Sequence, residues 1–251
     1  MPEPVVVVER HRHVALLRLN RPAARNALNA ELAQAAIDAV AASQDAGCIV
    51  ITGADPAFCA GLDLRDLGVP TLQELPHFTA AVAASKVPTV AAVNGPAATG
   101  GFELALACDF MIASERARFA DTHLRVGVYP GPVLVDLPRR VGPAWARQMS
   151  LTSDWVDAGT ALRIGLVNQV VGHADLVPYC LDLAASIAEQ PRHMVEAMRE
   201  DWDLTDRLPV QEAHAAHGRF AAERGLRDST AAELASHRRD VIARAHRQLE
   251  T

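Results

Sequence analysis

Short apolar runs alternate with longer amphipathic stretches over the first half of this chain, and the alternation predicts its elements. Residues 5–8 and 14–19 are aliphatic and β-branched runs too short for helices. The polar Glu9-Arg10-His11-Arg12-His13 between them predicts a hairpin of two strands joined by that turn. Arg21-Pro22 ends the second strand. Asn29 then offers an N-cap for a helix from residue 30 to about residue 44, with Leu32, Ala33, Ala36, Ile37 and Val40 at helical spacing. Asp45-Ala46-Gly47 closes it, and residues 48–52 are the next buried strand. The order then recurs: a helix over 78–86, a strand over 89–93, a helix over 100–107 and a strand over 110–113. This is α/β alternation, for which right-handed crossovers are expected.

Beyond Gly131 the pattern turns helical. Residues 134–141, 143–152 and 157–164 read as helices, with 167–171 a last short strand. Helices over 176–189, 193–203, 210–224 and 230–249 follow. No linker interrupts this stretch. The expected organisation is an α/β core over 1–190 and a helical region over 191–251 that extends the core rather than standing as an independent domain.

Composition narrows the classes. The 251 residues are 50% hydrophobic and 22% charged, enough to bury a sizeable core, and the net charge of −6 leaves no electrostatic footprint for nucleic acid. No apolar run reaches bilayer length, so no membrane association is expected. Met1-Pro2-Glu3-Pro4 lacks the basic start and apolar core of a signal peptide. Cys48, Cys59, Cys108 and Cys180 show no paired spacing and sit among apolar neighbours, as small buried hydrophobes of a reducing compartment do. A cytoplasmic location is expected.

Two strand-to-turn stretches carry the chemistry. In Val90-Ala91-Ala92-Val93-Asn94-Gly95-Pro96-Ala97-Ala98-Thr99-Gly100-Gly101-Phe102-Glu103, a buried strand breaks at Asn94-Gly95-Pro96, and a Gly-Gly helix start follows with a lone acid one turn in. A helix N-terminus exposes unpaired N–H groups, and glycine lets a ligand oxygen approach them. In Ala57-Phe58-Cys59-Ala60-Gly61-Leu62-Asp63, a second turn follows the strand over 48–52. Two such elements can aim two N–H groups at one carbonyl oxygen, forming an oxyanion hole.

These residues resemble the signatures AFxAGxD and NGxxxGGGxE of the enoyl-CoA hydratase/isomerase (crotonase) superfamily. The resemblance extends to Arg21-Pro22-Ala23-Ala24-Arg25-Asn26-Ala27-Leu28 and to the stretch from Arg118-Phe119-Ala120 through Val126-Gly127-Val128-Tyr129-Pro130-Gly131. It implies an α/β fold, a crotonase-like spiral of ββα turns with a C-terminal helical extension used in trimerisation, as a homotrimer or a dimer of trimers. It implies a lyase of fatty acid metabolism acting on an acyl-CoA thioester. Coenzyme A is then part of the substrate, with no metal and no tightly bound cofactor. The backbone N–H groups of Leu62 and Gly100 would form the oxyanion hole, and Glu103 would be the general acid/base. Arg25 matches a position that carries a basic residue near the CoA phosphates, although a solvated arginine fits equally; backbone groups of Ala60 and Leu62 would meet the adenine end.

The chain departs from the hydratase signature at one place. Where FxxPEIxxG carries a second glutamate, this sequence reads Phe119-Ala120-Asp121-Thr122-His123-Leu124-Arg125-Val126-Gly127, which puts His123 in its place. An imidazole titrating near neutrality can still hold a water and move its proton; a structural histidine is the bland alternative. Asp121 would share a strand face with His123 and orient it. The departure keeps two other readings open: a double-bond isomerase in which Glu103 alone shuttles the proton, and a catalytically silent acyl-CoA-binding protein.

Other residues read as follows. Asp63 is expected to brace its turn and Cys59 to pack. Arg125 is either a salt-bridge arginine or faces a polar acyl group, and His214 with His217 makes only a weak metal pair. Trp145, Trp155 and Trp202 are expected in the core or in subunit contacts. Residues 65–77, with Leu67, Val69, Leu72 and Leu75, would line an apolar acyl pocket. The family's C-terminal signature EGxxAFxxKRxPxF is poorly matched: its aromatic is missing, and Arg238 or Arg239 stands nearest its lysine.

Overall fold

The computed structural model describes residues 3–63, 65, 77–206, 208–226, 238 and 242. The predicted helix over 230–249, apart from residues 238 and 242, and the predicted acyl-pocket residues Leu67, Val69, Leu72 and Leu75 lie outside them. The chain divides into two compact units, Met1–Arg192 and His193–Thr251.

A six-stranded sheet organises the first unit, in the order β1 (Val6–His11), β2 (Val14–Leu19), β3 (Cys48–Gly53), β4 (Thr89–Val93), β6 (Phe110–Ser114) and β9 (Gln169–Val171). Only β1 runs antiparallel to its neighbour; the other pairs are parallel. The hairpin turn is shorter than the five polar residues suggest. His11 pairs with Val14, so Glu9, Arg10 and His11 belong to the strand. An edge strand tolerates them because its outer side meets water, and Glu9 pairs across the hairpin with Arg18.

The parallel strands are buried on both faces, which is why they read as unbroken apolar runs. Their side chains alternate between two cores. Ile49, Ile51, Ala91 and Val93 face a cluster that takes in α1 (Ala30–Ala41), α3 (Gly100–Leu106) and α4 (Val133–Thr152). Cys48, Val50, Val90 and Ala92 face Leu176, Cys180 and Ala184 of α6 (Leu176–Ala188). α1 starts at its predicted cap but ends at Ala41, short of the expected end near residue 44, and the helix expected over 78–86 stops at Ala83. Asn29 Oδ1 accepts the Leu32 N–H at 2.9 Å to start α1, and Gly142, at φ 78°, breaks α4 between the two arms that the sequence reads as separate helices. The remaining helices of this unit are α2 (Phe78–Ala83) and α5 (Ala158–Arg163), the latter capped by Asp157.

The sequence reading missed a second, small sheet. Strands β5 (Pro96–Ala98), β7 (Arg118–Ala120) and β8 (Val156–Asp157) are three, three and two residues long, too short to show a period. β5 and β7 run parallel. The chain therefore passes twice from a long strand to a short one and on toward a helix: β4 to β5 to α3, then β6 to β7 to α4.

In the second unit, α8 (Val210–Glu223) packs with α7 (Arg192–Thr205). His217 Nδ1 contacts Asp201 Oδ2, and Arg224 pairs with Glu200 while its guanidinium lies 4.6 Å from the Phe220 ring. His217 is thus engaged by a carboxylate, and no cluster of three or more metal-ligating side chains occurs among the described residues. Trp202 is 60% exposed and Trp155 45% exposed, so neither is a core residue of a single chain. All four cysteines are buried. No helix of the described residues is long and apolar enough to cross a membrane.

Candidate active site

Three parallel segments converge, and the predicted site residues stand just beyond their ends. Ala98 on β5 pairs with Ala120 on β7, and Thr99 N–H donates to the Ala120 carbonyl at 3.1 Å. On the other side of β5, Cys59 bridges to Ala97, and Ala98 N–H donates to the Cys59 carbonyl at 3.0 Å. The next residues along these segments are Gly61-Leu62, Gly100 through Glu103, and Asp121 through His123. Short strands in register bring together what lies about 20 to 60 positions apart in sequence.

The residues just before Leu62 and Gly100, namely Gly61 and Thr99, meet in a close contact. A Cβ on Gly61, which sits at φ +88°, would fall 1.8 Å from Thr99 Oγ1 and 2.8 Å from the Ala98 carbonyl. Gly61 is therefore required both by its conformation and by the approach of Thr99. Thr99 itself is a β-branched residue held at φ 44°, a conformation that costs on the order of 1–3 kcal/mol. Gly101 has a purpose that the sequence hides: its missing side chain makes room for the Cys59 carbonyl, not for a ligand. Leu28 N–H donates to the Gly61 carbonyl and its own carbonyl accepts the Asp63 N–H, at 2.7 and 2.9 Å. These bonds flank Leu62, whose N–H, like that of Gly100, has no hydrogen-bond partner among the described residues.

The loop is braced by Asn26, to which the sequence analysis assigns no role, and by Asp63, which it expects to brace the turn. Asn26 is fully buried at φ 55°; its Nδ2 donates to the carbonyls of Ala54 and Ala57 at 2.8 and 2.7 Å, while its Oδ1 accepts the Arg21 N–H at 2.9 Å. An asparagine tolerates a positive φ, the one signal in the sequence that could have pointed here. Asp63 accepts from Arg65 at 2.8 and 2.9 Å and from Arg21 at 3.2 Å. The Arg65 guanidinium, with help from Arg21, holds its carboxyl far below the usual range despite burial.

Glu103 is partly buried one turn into α3. Burial pushes its pKa up; the Val133 N–H, which donates to Oε1 at 3.2 Å, and nearby His123 oppose this without cancelling it. Desolvation wins, and the carboxyl stays above the ordinary glutamate range. His123 is buried, and its Nδ1 lies 2.6 Å from Asp121 Oδ1. The pair forms through a turn: β7 stops at Ala120, and His123 opens a 3-10 helix over His123–Val126. The expected shared strand face is thus wrong, although the partnership it predicted exists. Burial would raise Asp121, but hydrogen bonds from His123 and from Ser150 of α4 outweigh it and hold its pKa below normal. An ionised carboxylate only accepts, so Nδ1 carries the proton and Nε2 offers its lone pair.

The other candidates fall into place. Arg25 is exposed, and its carbonyl accepts the Ala60 N–H at 3.0 Å, which sets two of the three predicted CoA positions side by side and leaves Ala60 its carbonyl. Arg125 is a salt-bridge arginine, 2.7 Å from Asp154. His173 links Asp55 and Ser114 at 3.0 and 3.1 Å, but Ser114 is wholly buried, so this chain clasps strand ends and presents no nucleophile. An apolar cavity of about 490 Å³ lies along α4, lined by Val133, Leu134, Pro138, Ala146, Ser150 and Leu151.

Unpaired backbone donors beside a carboxylate and a carboxylate-bound imidazole are what an enzyme needs to polarise a carbonyl and move a proton next to it. The model of the enoyl-CoA hydratase/isomerase family matches residues 9–233, and the chain belongs to that family. A crotonyl-CoA hydratase of Syntrophomonas wolfei is 38% identical over 194 residues, 72% of this chain and 75% of its own. A probable enoyl-CoA hydratase of Mycobacterium bovis is 34% identical over 240 residues, 89% of this chain and 92% of its own. Among solved structures, one enoyl-CoA hydratase from Mycobacterium smegmatis superposes with a TM-score of 0.74 at 42% identity, covering 90% of this chain and 100% of that one. Another from the same organism gives a TM-score of 0.86 at 28% identity, covering 95% and 97%.

Proposed function

We propose that this protein is an enoyl-CoA hydratase-type lyase that adds water across the double bond of a 2-enoyl-CoA thioester. The thioester oxygen sits between the N–H groups of Leu62 and Gly100, which makes the β-carbon electrophilic and stabilises the enolate that follows. Glu103 and His123 Nε2 hold the water. Glu103 takes its proton as the oxygen bonds to the β-carbon, and a proton returns to the α-carbon. Arg25 meets a CoA phosphate and the backbone of Ala60 and Leu62 the adenine end. The reaction asks for no tightly bound cofactor, since coenzyme A arrives with the substrate. The apolar cavity that shares Val133 with Glu103 suits a hydrocarbon acyl group.

The observation that carries this reading is the convergence of Leu62, Gly100, Glu103 and His123 on the ends of three adjoining parallel segments, in a chain of this family. We also propose that the working form is a homotrimer or a dimer of trimers in the cytoplasm. In support, Tyr129 and Leu151 are 84% and 72% exposed in the single chain and so available to a subunit contact.

The test follows the absorbance of crotonyl-CoA with purified protein, beside Glu103→Ala and His123→Ala. Hydration by the wild type and its loss in both variants supports the reading. Tight binding with the double bond untouched overturns it, and a shifted double bond in the product assigns the isomerase instead.

A further inference from the structure

The Asp121–His123 pair is not what a hydration site of two carboxylates needs, and its chemistry reaches further. Asp121 Oδ1 sits 2.6 Å from His123 Nδ1, and both residues are buried, at 1% and 5% exposure. Nδ1 is thereby committed as the donor, and Nε2 has no hydrogen-bond partner among the described residues. A buried carboxylate that orients an imidazole and stabilises its protonated form makes a general base strong enough to activate water toward a carbonyl carbon. The parallel pairing of β5 and β7 ends the segments that carry Gly100 and His123 side by side, and an oxyanion hole at Leu62 and Gly100 would suit a tetrahedral oxyanion as well as an enolate.

We infer that this site also hydrolyses the thioester bond of acyl-CoA, with His123 as general base and Asp121 as its positioning residue. The inference rests on the proposed oxyanion hole. His123 Nε2 takes a proton from water as the water oxygen bonds to the thioester carbonyl carbon. The carbonyl π pair moves onto its oxygen, held by the two N–H groups. When the carbonyl re-forms, the carbon–sulfur bond breaks, and the sulfur leaves with its electron pair and accepts the proton from His123. The products are the carboxylic acid and free coenzyme A, and no other reactant is consumed. A thiol is far more acidic than an alcohol or an amine, so the sulfur departs readily as thiolate and one base suffices.

The measurement pairs two substrates of each chain length: the 2-enoyl-CoA, read by loss of its conjugated absorbance, and the saturated acyl-CoA, read by thiol release. A saturated chain can be neither hydrated nor isomerised, so thiol release reports hydrolysis alone, and the buried cysteines keep the protein's own background low. The expected result is saturable thiol release from saturated acyl-CoA of at least one length. His123→Gln should lower it by about 100-fold or more. Asp121→Asn should lower kcat at unchanged KM, in protein whose melting curve shows it folded. Hydration of the enoyl-CoA without thiol release overturns this inference and leaves the proposed function standing. Thiol release that survives both substitutions also overturns it. Failure of both reactions overturns both.

Discussion

Glu103 pays for its position, and the cost is measurable. Its pKa is raised in the folded chain, so the native state holds a proton that the unfolded chain gives up, and stability falls as pH rises above the ordinary glutamate value of 4.5. Glu103→Gln removes the ionisable group and keeps an oxygen for the Val133 N–H. We expect the variant to melt higher than wild type at pH 7, by about 2–4 °C per kcal/mol recovered, with the difference vanishing near pH 4. Crotonyl-CoA hydration should meanwhile fall by about 10²–10⁴-fold. Equal melting temperatures at pH 7 would show that burial does not dominate. Gly61→Ala tests the other half of the site. The added methyl meets Thr99 and the Ala98 carbonyl, which would part the loop of Leu62 from the start of α3. Loss of activity should far exceed loss of acyl-CoA binding.

The loops and helices are held by a few side chains that bind backbone. Arg140 in α4 donates to the carbonyls of Leu106, Cys108 and Asp109, gathering the C-terminal end of α3. Arg140→Met keeps the stem and strips the donors, leaving carbonyls unpaired at about 1–3 kcal/mol each, so the melting temperature should fall by several degrees. Asn26→Ala removes three hydrogen bonds from the loop that carries Leu62 and puts alanine at a positive φ. It should lose comparable stability and activity together, whereas Arg140→Met should lose mainly stability. Thermal melts read beside steady-state rates separate the two. Asp63 adds a pH signature. Its pKa is depressed in the fold, so its stabilisation is present above the ordinary value of 3.8 and fades as pH falls below it. The destabilisation caused by Asp63→Asn should therefore shrink between pH 5 and pH 2.

Over the whole molecule, the open question is what covers the apolar side chains beside the site. Tyr129, Val135, Leu151 and Trp155 are 84%, 53%, 72% and 45% exposed, and all belong to the first unit. Assembly into trimers would cover such residues, and light scattering should return three or six times the chain mass at micromolar concentration. Leu151→Glu should then shift the population toward smaller species without unfolding the monomer. A wild-type mass of one chain would sink the trimer proposal.

Much of this protein can be read from its letters, because the signals are local. Apolar runs bounded by Gly, Pro and Asn mark β2, β3, β4 and β6, and helical spacing with an N-cap marks α1. Glycine pairs and a lone acid mark the turns of the candidate site. What the letters cannot carry is register. β5 and β7 have no periodicity at three residues each, yet their parallel pairing sets Thr99 against Ala120 and so brings His123 to Glu103. The same holds for Gly101, whose need is the backbone of Cys59, 42 positions earlier, and for Asn26, two of whose three partners, Ala54 and Ala57, are distant in sequence. Local propensity decides which elements form. Only the packed chain decides which of their ends meet, because hydrogen-bond pairing and close approach depend on residues that no window of sequence contains.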